Sequence, residues 1–277
     1  MVGLQLGAHR LYCGNALEEA AYVALMTGKK AAMVFVDPPF NVKIDGHASG
    51  LGATRHREFA FASGEMSETE FTAFLTQSCR LLATYSEPGA LHFICMDWAH
   101  AYELLTASRA VYSELKNMCV WAKDNAGMGS LYRSQHELIF VFKHGKTAHR
   151  NNIQLGKYGR YRSNIWRYPG MNSFGRTTDE GNLLALHPTV KPVALVADAI
   201  LDCTQRGDIV LDSFLGSGTT LMAAERVGRI CHGMEIDPLY VDTAIRRWQN
   251  LTGERARHAR TNRYFDTVAA KVGGRHG

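Results

Sequence analysis

Short apolar runs of strand length alternate along this chain with segments of helical periodicity. Ala31 to Val36 is a nearly continuous apolar run ending in Asp37-Pro38-Pro39. A run without a polar face predicts a strand buried on both sides, and the prolines stop it. Ser67 with Glu70 three residues on predicts a capping box, and Phe71, Phe74, Leu75 and Leu82 follow at helical spacing. Leu91 to Met96, Asn117 to Trp121 and Leu138 to Phe142 are further strand-length runs. The first two are separated by a helical stretch around Trp98 to Ser108, and the last two, divided by Gly127 and Gly129, suit a hairpin.

A second strand-and-helix unit occupies the C-terminal part. In His187-Pro188-Thr189-Val190-Lys191-Pro192 a proline opens a helix whose inward face holds Leu195, Val196, Ala199 and Ile200. A strand (Ile209 to Leu211), a glycine loop, a helix (Thr219 to Val227), a strand (Arg229 to Ile236) and a helix (Pro238 to Asn250) follow. The alternation predicts an α/β chain with a parallel sheet. Lys43 to Gly64 is aperiodic and long for a connection, so residues 41–66 are expected to form a mobile loop beside a site. The basic, weakly patterned tail, residues 255–277, is expected to be partly disordered. There is no internal repeat.

Composition narrows the class. With 277 residues, 46% of them hydrophobic, the chain can bury a full core and is expected to form one domain. No apolar run reaches the roughly 20 residues that span a bilayer, and Met1 to Arg10 does not read as a signal peptide, so the cytoplasm is the expected compartment and no membrane partner is foreseen. The six cysteines form no C-x-x-C pair and the twelve histidines no zinc spacing, so no metal site is expected.

The net charge of +5 is modest, but it is unevenly placed. From Leu138 to Thr178 there is no acidic residue, while Lys143, Lys146, Arg150, Lys157, Arg160, Arg162, Arg167 and Arg176 are interleaved with Tyr158, Tyr161, Trp166 and Tyr168. Cations beside stacking rings suit a nucleic-acid surface. Residues 138–182 are therefore the candidate DNA-recognition region, with Lys157, Arg160, Arg162 and Arg167 as the cations expected to bind DNA. A solvated basic face with its aromatics turned inward would give the same pattern.

Two loops carry candidate chemistry. Asp212-Ser213-Phe214-Leu215-Gly216-Ser217-Gly218-Thr219 lies between a strand and a helix, where glycines let backbone approach a ligand closely. No lysine follows the second glycine and no third glycine is present, which disfavours nucleoside triphosphates and NAD. Glu235, at the end of the next strand, stands where a carboxylate can accept bonds from both hydroxyls of a ribose. A ribose-bearing ligand without pyrophosphate fits both features, although helix-packing glycines with a capping acid would look alike. The second loop is Asp37-Pro38-Pro39-Phe40. An exocyclic base amine is a poor nucleophile because its lone pair is delocalised, and activating it requires two acceptors for its N–H groups. The Asp37 carboxylate and the Pro38 carbonyl could supply them, with Phe40 stacking on a base extruded from the duplex. The alternative is an ordinary strand-terminating turn.

On these motifs, and over about Leu6 to Gly253, the chain resembles the permuted, beta-type amino-methylating DNA methyltransferases, and looks similar to the phage-associated adenine methylases among them. The resemblance implies a doubly wound, mostly parallel, Rossmann-like S-adenosylmethionine methyltransferase sheet with a terminal antiparallel hairpin and a circularly permuted motif order, the catalytic loop preceding the cofactor loop. It implies that Asp37, Pro38, Pro39 and Phe40 are catalytic and that Asp212, Phe214, Gly216, Ser217, Gly218, Thr219 and Glu235 hold S-adenosylmethionine. His187, Thr189 and Lys191 would lie near the cofactor's carboxylate, with a charge role for Lys191. Asn15 and Ala16, after Gly14, match the segment beside the cofactor's adenine, with Asn replacing the family's Asp. Phe40 replaces a commoner Tyr. The implied partners are double-stranded DNA and a second copy in a homodimer. Asp at the loop start resembles the adenine N6 group, whereas Ser is commoner in the cytosine N4 group. Cytosine N4 is the second target, followed by an RNA amine and by a catalytically silent DNA-binding module.

Overall fold

The structure, a computed structural model, describes residues 3–42, 64–127, 131–157, 159–170 and 190–267. The strands are β1 (Gly3–Leu6), β2 (His9–Cys13), β3 (Ala31–Val36), β4 (Ser86–Met96), β5 (Glu114–Ala122), β6 (His136–Lys143), β7 (Ile165–Arg167), β8 (Ile209–Asp212), β9 (Ile230–Glu235) and β10 (Arg257–His258). The helices are α1 (Glu19–Met26), α2 (Glu68–Thr84), α3 (Ala101–Arg109), α4 (Val193–Cys203), α5 (Thr219–Val227) and α6 (Pro238–Thr252). Among the described residues one sheet runs β10-β1-β2-β9-β8-β3-β4-β6-β5-β7.

Its centre, β2-β9-β8-β3-β4, is parallel. Antiparallel β6 separates β4 from β5, and the expected hairpin of β5 and β6 forms with Val120 opposite Leu138, followed by β7 parallel to β5 at the edge. A buried parallel sheet needs a helical layer on each face. One layer packs Leu195, Val196, Ala199 and Ile200 of α4, Leu221 of α5 and Ala244 of α6 against Met33 and Phe35. The other packs Tyr22 of α1, Phe71, Phe74 and Leu75 of α2, and Leu104 of α3 against Val34 and Val36. The capping box is present, since Ser67 caps α2 and the Glu70 side chain returns to the Ser67 backbone. No helix among the described residues is long and apolar enough to cross a membrane.

Two features go beyond the sequence reading. The tail, expected to be partly disordered, contributes β10, which pairs with β1, and buries Ala256 and Phe265 in the core. The antiparallel hairpin of β1 and β2 had no apolar run to announce it, because these strands are four and five residues long and carry polar side chains. The loop expected at 41–66 falls mostly in residues 43–63, which lie outside the described residues, as do residues 158 and 171–182 of the candidate recognition region and 268–277 of the tail.

The topology locates a crevice. From β3 the chain crosses through α2 to β4 on one side; from β8 it crosses through α5 to β9 on the other. Strands that are neighbours and whose connections diverge leave an opening at their carboxyl ends, where open α/β sheets bind ligands.

Candidate active site

Both candidate loops open onto this crevice. β3 and β8 pair in parallel, Met33 opposite Val210 and Val34 opposite Leu211. Asp37 follows the last residue of β3, and the glycine loop follows Asp212, the last residue of β8. The same offset continued brings Asp37 level with Phe214, so the two loops are neighbours although 170-odd residues part them in the chain.

Asp37 is held at one oxygen. Its Oδ2 accepts from Lys191 Nζ at 2.5 Å, and Oδ1 is buried without a hydrogen-bond partner among the described residues. Lys191 is only 5% exposed at its side chain, and its ammonium also lies 2.9 Å from Glu137 Oε2. Glu137 Oε1 in turn accepts from Lys123 Nζ at 2.5 Å. Four charges of alternating sign thus run from Lys123 through Glu137 and Lys191 to Asp37. Burial pushes the Asp37 carboxyl up, Lys191 opposes that shift and Glu137 adds to it. Glu137 is brought down to about 2: burial works against this, and the two lysines overcome it. The two carboxylates outweigh the burial of Lys191 and keep it cationic. Phe40 is half-buried against both core layers, with the Lys191 ammonium 5.6 Å from its ring centre.

The cradle is built from backbone. Gly216 and Gly218 have φ of 53° and 91°, and Gly218 caps α5 from the left-handed region, where a side chain is strained. Glu235 Oε2 accepts from the Gly216 N–H at 2.8 Å and Oε1 from the Asp237 N–H at 2.9 Å. Each oxygen keeps a further lone pair, so the carboxylate can still take two hydroxyls. Asp212 Oδ1 accepts from the Phe214 N–H, and burial pushes the Asp212 carboxyl up to about 7. Gly14 donates to the Glu235 carbonyl at 2.9 Å, which sets Asn15 and Ala16 beside the same strand end. Ser217 turns inward, its carbonyl and hydroxyl accepting from Arg247 Nη1 at 2.7 and 3.2 Å. Thr219 is buried as well.

Several predicted residues make contacts the sequence did not indicate. Lys191, expected near the cofactor's carboxylate, is paired with Asp37 and Glu137. Arg160 and Arg162, expected to bind DNA, are tied to α4: Arg160 reaches Asp202 at 2.6 Å and Asp198 at 3.2 Å, and Arg162 reaches Asp202 at 3.1 Å. Tyr168 also donates to Asp198, and Trp166 is buried, so these two rings face inward. Lys157, Tyr161 and Arg167 remain exposed. His187 and Thr189 lie outside the described residues, as do Tyr158 and Arg176. Glu137 and Lys123 were not anticipated; the one signal was an acid at the head of an apolar run. Asp198 and Asp202 had a clearer one, two acids at i and i+4 on an otherwise apolar helix. Among the described residues no group of three or more His, Cys, Asp or Glu could hold a metal ion.

A family model described as DNA methylase matches residues 31–246, a span that includes both loops. The Type II methyltransferase M2.MboI of Moraxella bovis is 27% identical over 256 residues, covering 87% of this chain and 88% of that protein. Among solved structures, the cytosine-N4-specific PvuII DNA methyltransferase superposes with a TM-score of 0.64 at 17% identity, covering 88% of this chain and 87% of the other. The M1.HpyAVI–SAM complex gives 0.59 at 20% identity, with coverages of 86% and 97%.

Proposed function

We propose, from the premise that this chain belongs to the DNA methylase family whose model spans residues 31–246, that it methylates the N6 amine of adenine in double-stranded DNA with S-adenosylmethionine as donor. The observation that carries the reading is the juxtaposition, at the β3–β8 crevice, of a glycine cradle with an aspartate whose buried Oδ1 is left as an acceptor. Asp37 at the loop start supports adenine over cytosine through the resemblance to the adenine group.

The residues present fit the donor. Gly216 and Gly218 admit close backbone approach, and Glu235 retains two acceptor positions for ribose hydroxyls. When bound, S-adenosylmethionine supplies an electrophilic sulfonium methyl. The chain's own residues handle the amine. Asp37 Oδ1 accepts one of its N–H groups and the Pro38 carbonyl the other, which returns electron density to nitrogen. As nitrogen gains the methyl it becomes positive and its hydrogens more acidic, so the bond to the carboxylate strengthens toward the transition state. The electron pair of the broken carbon–sulfur bond stays on sulfur, and nitrogen releases one proton to bulk water to end as a neutral amine. Lys191, fixed on Oδ2, opposes the protonation that burial favours at Asp37. Phe40 offers a face for the extruded base, whose unstacking costs a few kcal/mol.

Nucleoside mass spectrometry on unmethylated DNA and on RNA, each incubated with the protein and S-adenosylmethionine, tests the reading. N6-methyladenine in DNA is expected, and its loss in Asp37→Asn by about a hundredfold or more. Methylcytosine alone, or product in RNA alone, overturns the target.

A further inference from the structure

The chain of charges behind Asp37 is drawn from separate parts of the fold. Lys123 follows β5, Glu137 lies in β6, Lys191 precedes α4 and Asp37 follows β3, and all converge on the carboxyl end of the sheet. An ammonium has three donors and little directional preference, so beside one lone carboxylate it can settle across both oxygens. Here a second carboxylate shares the ammonium's charge: Glu137 Oε2 stands 2.9 Å from it as an ion pair, without the geometry of a hydrogen bond. Glu137 is itself anchored from behind by Lys123, which lies over the Trp121 ring at 4.6 Å.

We infer that Lys123, Glu137 and Lys191 are positioning residues for Asp37: Glu137 draws the Lys191 ammonium to the Oδ2 side, which leaves Oδ1 as the oxygen that receives the substrate amine. The inference rests on the amine-methylation reading for its consequence, but not for its electrostatics. Other titratable groups facing the cluster are Cys95 of β4 and Asp212 of β8. Within this set the signs are fixed by position: Glu137 raises the Asp37 carboxyl and Lys123 lowers it.

Two near-isosteric substitutions therefore pull in opposite directions. Glu137→Gln removes a negative charge and gives Lys191 wholly to Asp37, so Asp37 titrates at lower pH; Lys123→Met removes a positive charge, so Asp37 titrates at higher pH. The titration is followed by NMR of protein labelled with carbon-13 at aspartate Cγ, the Asp37 resonance being assigned by its loss in Asp37→Asn. Glu137→Gln is also expected to lower kcat by about tenfold or more, with KM for DNA and donor little changed, because the ammonium encroaches on Oδ1. Glu137→Asp should restore part of kcat. A merely structural Glu137 would not split kcat from KM or produce opposed titrations. Shifts of one sign in both variants, no shift, or an unaltered kcat in Glu137→Gln overturns the inference. Wild-type protein that transfers no methyl to DNA overturns the functional reading instead, and the two titrations still decide the electrostatics.

Discussion

Gly218 is where the glycine loop depends most directly on packing, and Gly218→Ala tests that dependence. At φ of 91° an L-residue is strained by about 1–2 kcal/mol. Its Cβ would lie 2.8 Å from the Ala244 Cβ and 3.2 Å from the Ala244 Cα. The second of these is helix backbone, and Ala244 is fully buried where α6 meets the core. Relief by a rotamer change is therefore closed, and overpacking of this kind adds about 1–3 kcal/mol. The expected destabilisation is about 2–5 kcal/mol, a drop in Tm of roughly 5–15 °C for a chain of this size. Gly207→Ala is the control: φ is 81°, but nothing lies within 4 Å of the added carbon, so only the backbone cost of about 1 kcal/mol remains.

Urea and thermal unfolding of Gly218→Ala, Gly207→Ala, Ala244→Gly and the Gly218→Ala/Ala244→Gly pair complete the test. Ala244→Gly alone costs about 1 kcal/mol in helix propensity, but in the pair it removes the closest contact, so the double variant should be about 1 kcal/mol or more better than additive. Equal stabilities for Gly218→Ala and Gly207→Ala, or strict additivity, would refute the argument that α6 presses on the cradle.

Three further outcomes are expected. Glu235→Gln turns an amide NH2 toward the Gly216 or Asp237 N–H, which now both bond carboxylate oxygen; donor affinity measured by calorimetry should fall by about a hundredfold. Asp212 titrates near 7 in the folded chain against 3.8 as its ordinary value. The folded state thus holds a proton that the unfolded state has lost, so this group makes stability fall as pH rises through that window and level off above it; in Asp212→Asn, urea midpoints across the window should lose that slope, and an unchanged slope would count against the assignment. Arg160→Ala should lower stability by about 1 kcal/mol, because the buried Asp202 loses one of its two arginine partners and keeps Arg162; exposed Arg167→Ala should instead leave stability unchanged and flatten the salt dependence of DNA binding by about one unit of slope, and equal salt slopes in the two variants would sink the distinction.

The sequence disclosed what depends on local pattern and concealed what depends on convergence. Ala31 to Val36, Ser67 with Glu70, and Thr219 to Val227 each carry their own period or cap, and the structure places β3, α2 and α5 there. The strands β1, β2, β7 and β10 are too short to carry one, and they exist because a neighbouring strand offers a ladder. The Asp-Pro-Pro-Phe loop and the glycine loop stood out in the sequence because each carries special backbone, prolines in one and glycines in the other. Glu137 was not, since its partners Lys123 and Lys191 are contributed by other elements. The stretch without acids from residue 138 to 178 hid its ion pairs for the same reason: Arg160 and Arg162 find their carboxylates on α4.

This convergence also separates the carboxylates of the crevice by the way each is held. Asp37 has an ammonium at 2.5 Å, a full opposite charge that stays whatever occupies the crevice. Burial pushes all three carboxyls up, but Glu235 is stabilised by backbone N–H groups and Asp212 by the Phe214 N–H and the Thr220 side chain, none of them charged. Partial dipoles offset less of a desolvation cost than an ion does, so the charge on those two groups depends on the ligand beside them. A cation in the cradle favours their ionised forms, and a neutral molecule of the same shape does not. The lysine thus opposes the loss of charge at the residue proposed to accept the amine, and the neutral donors stand beside the residues whose charge should respond to what is bound.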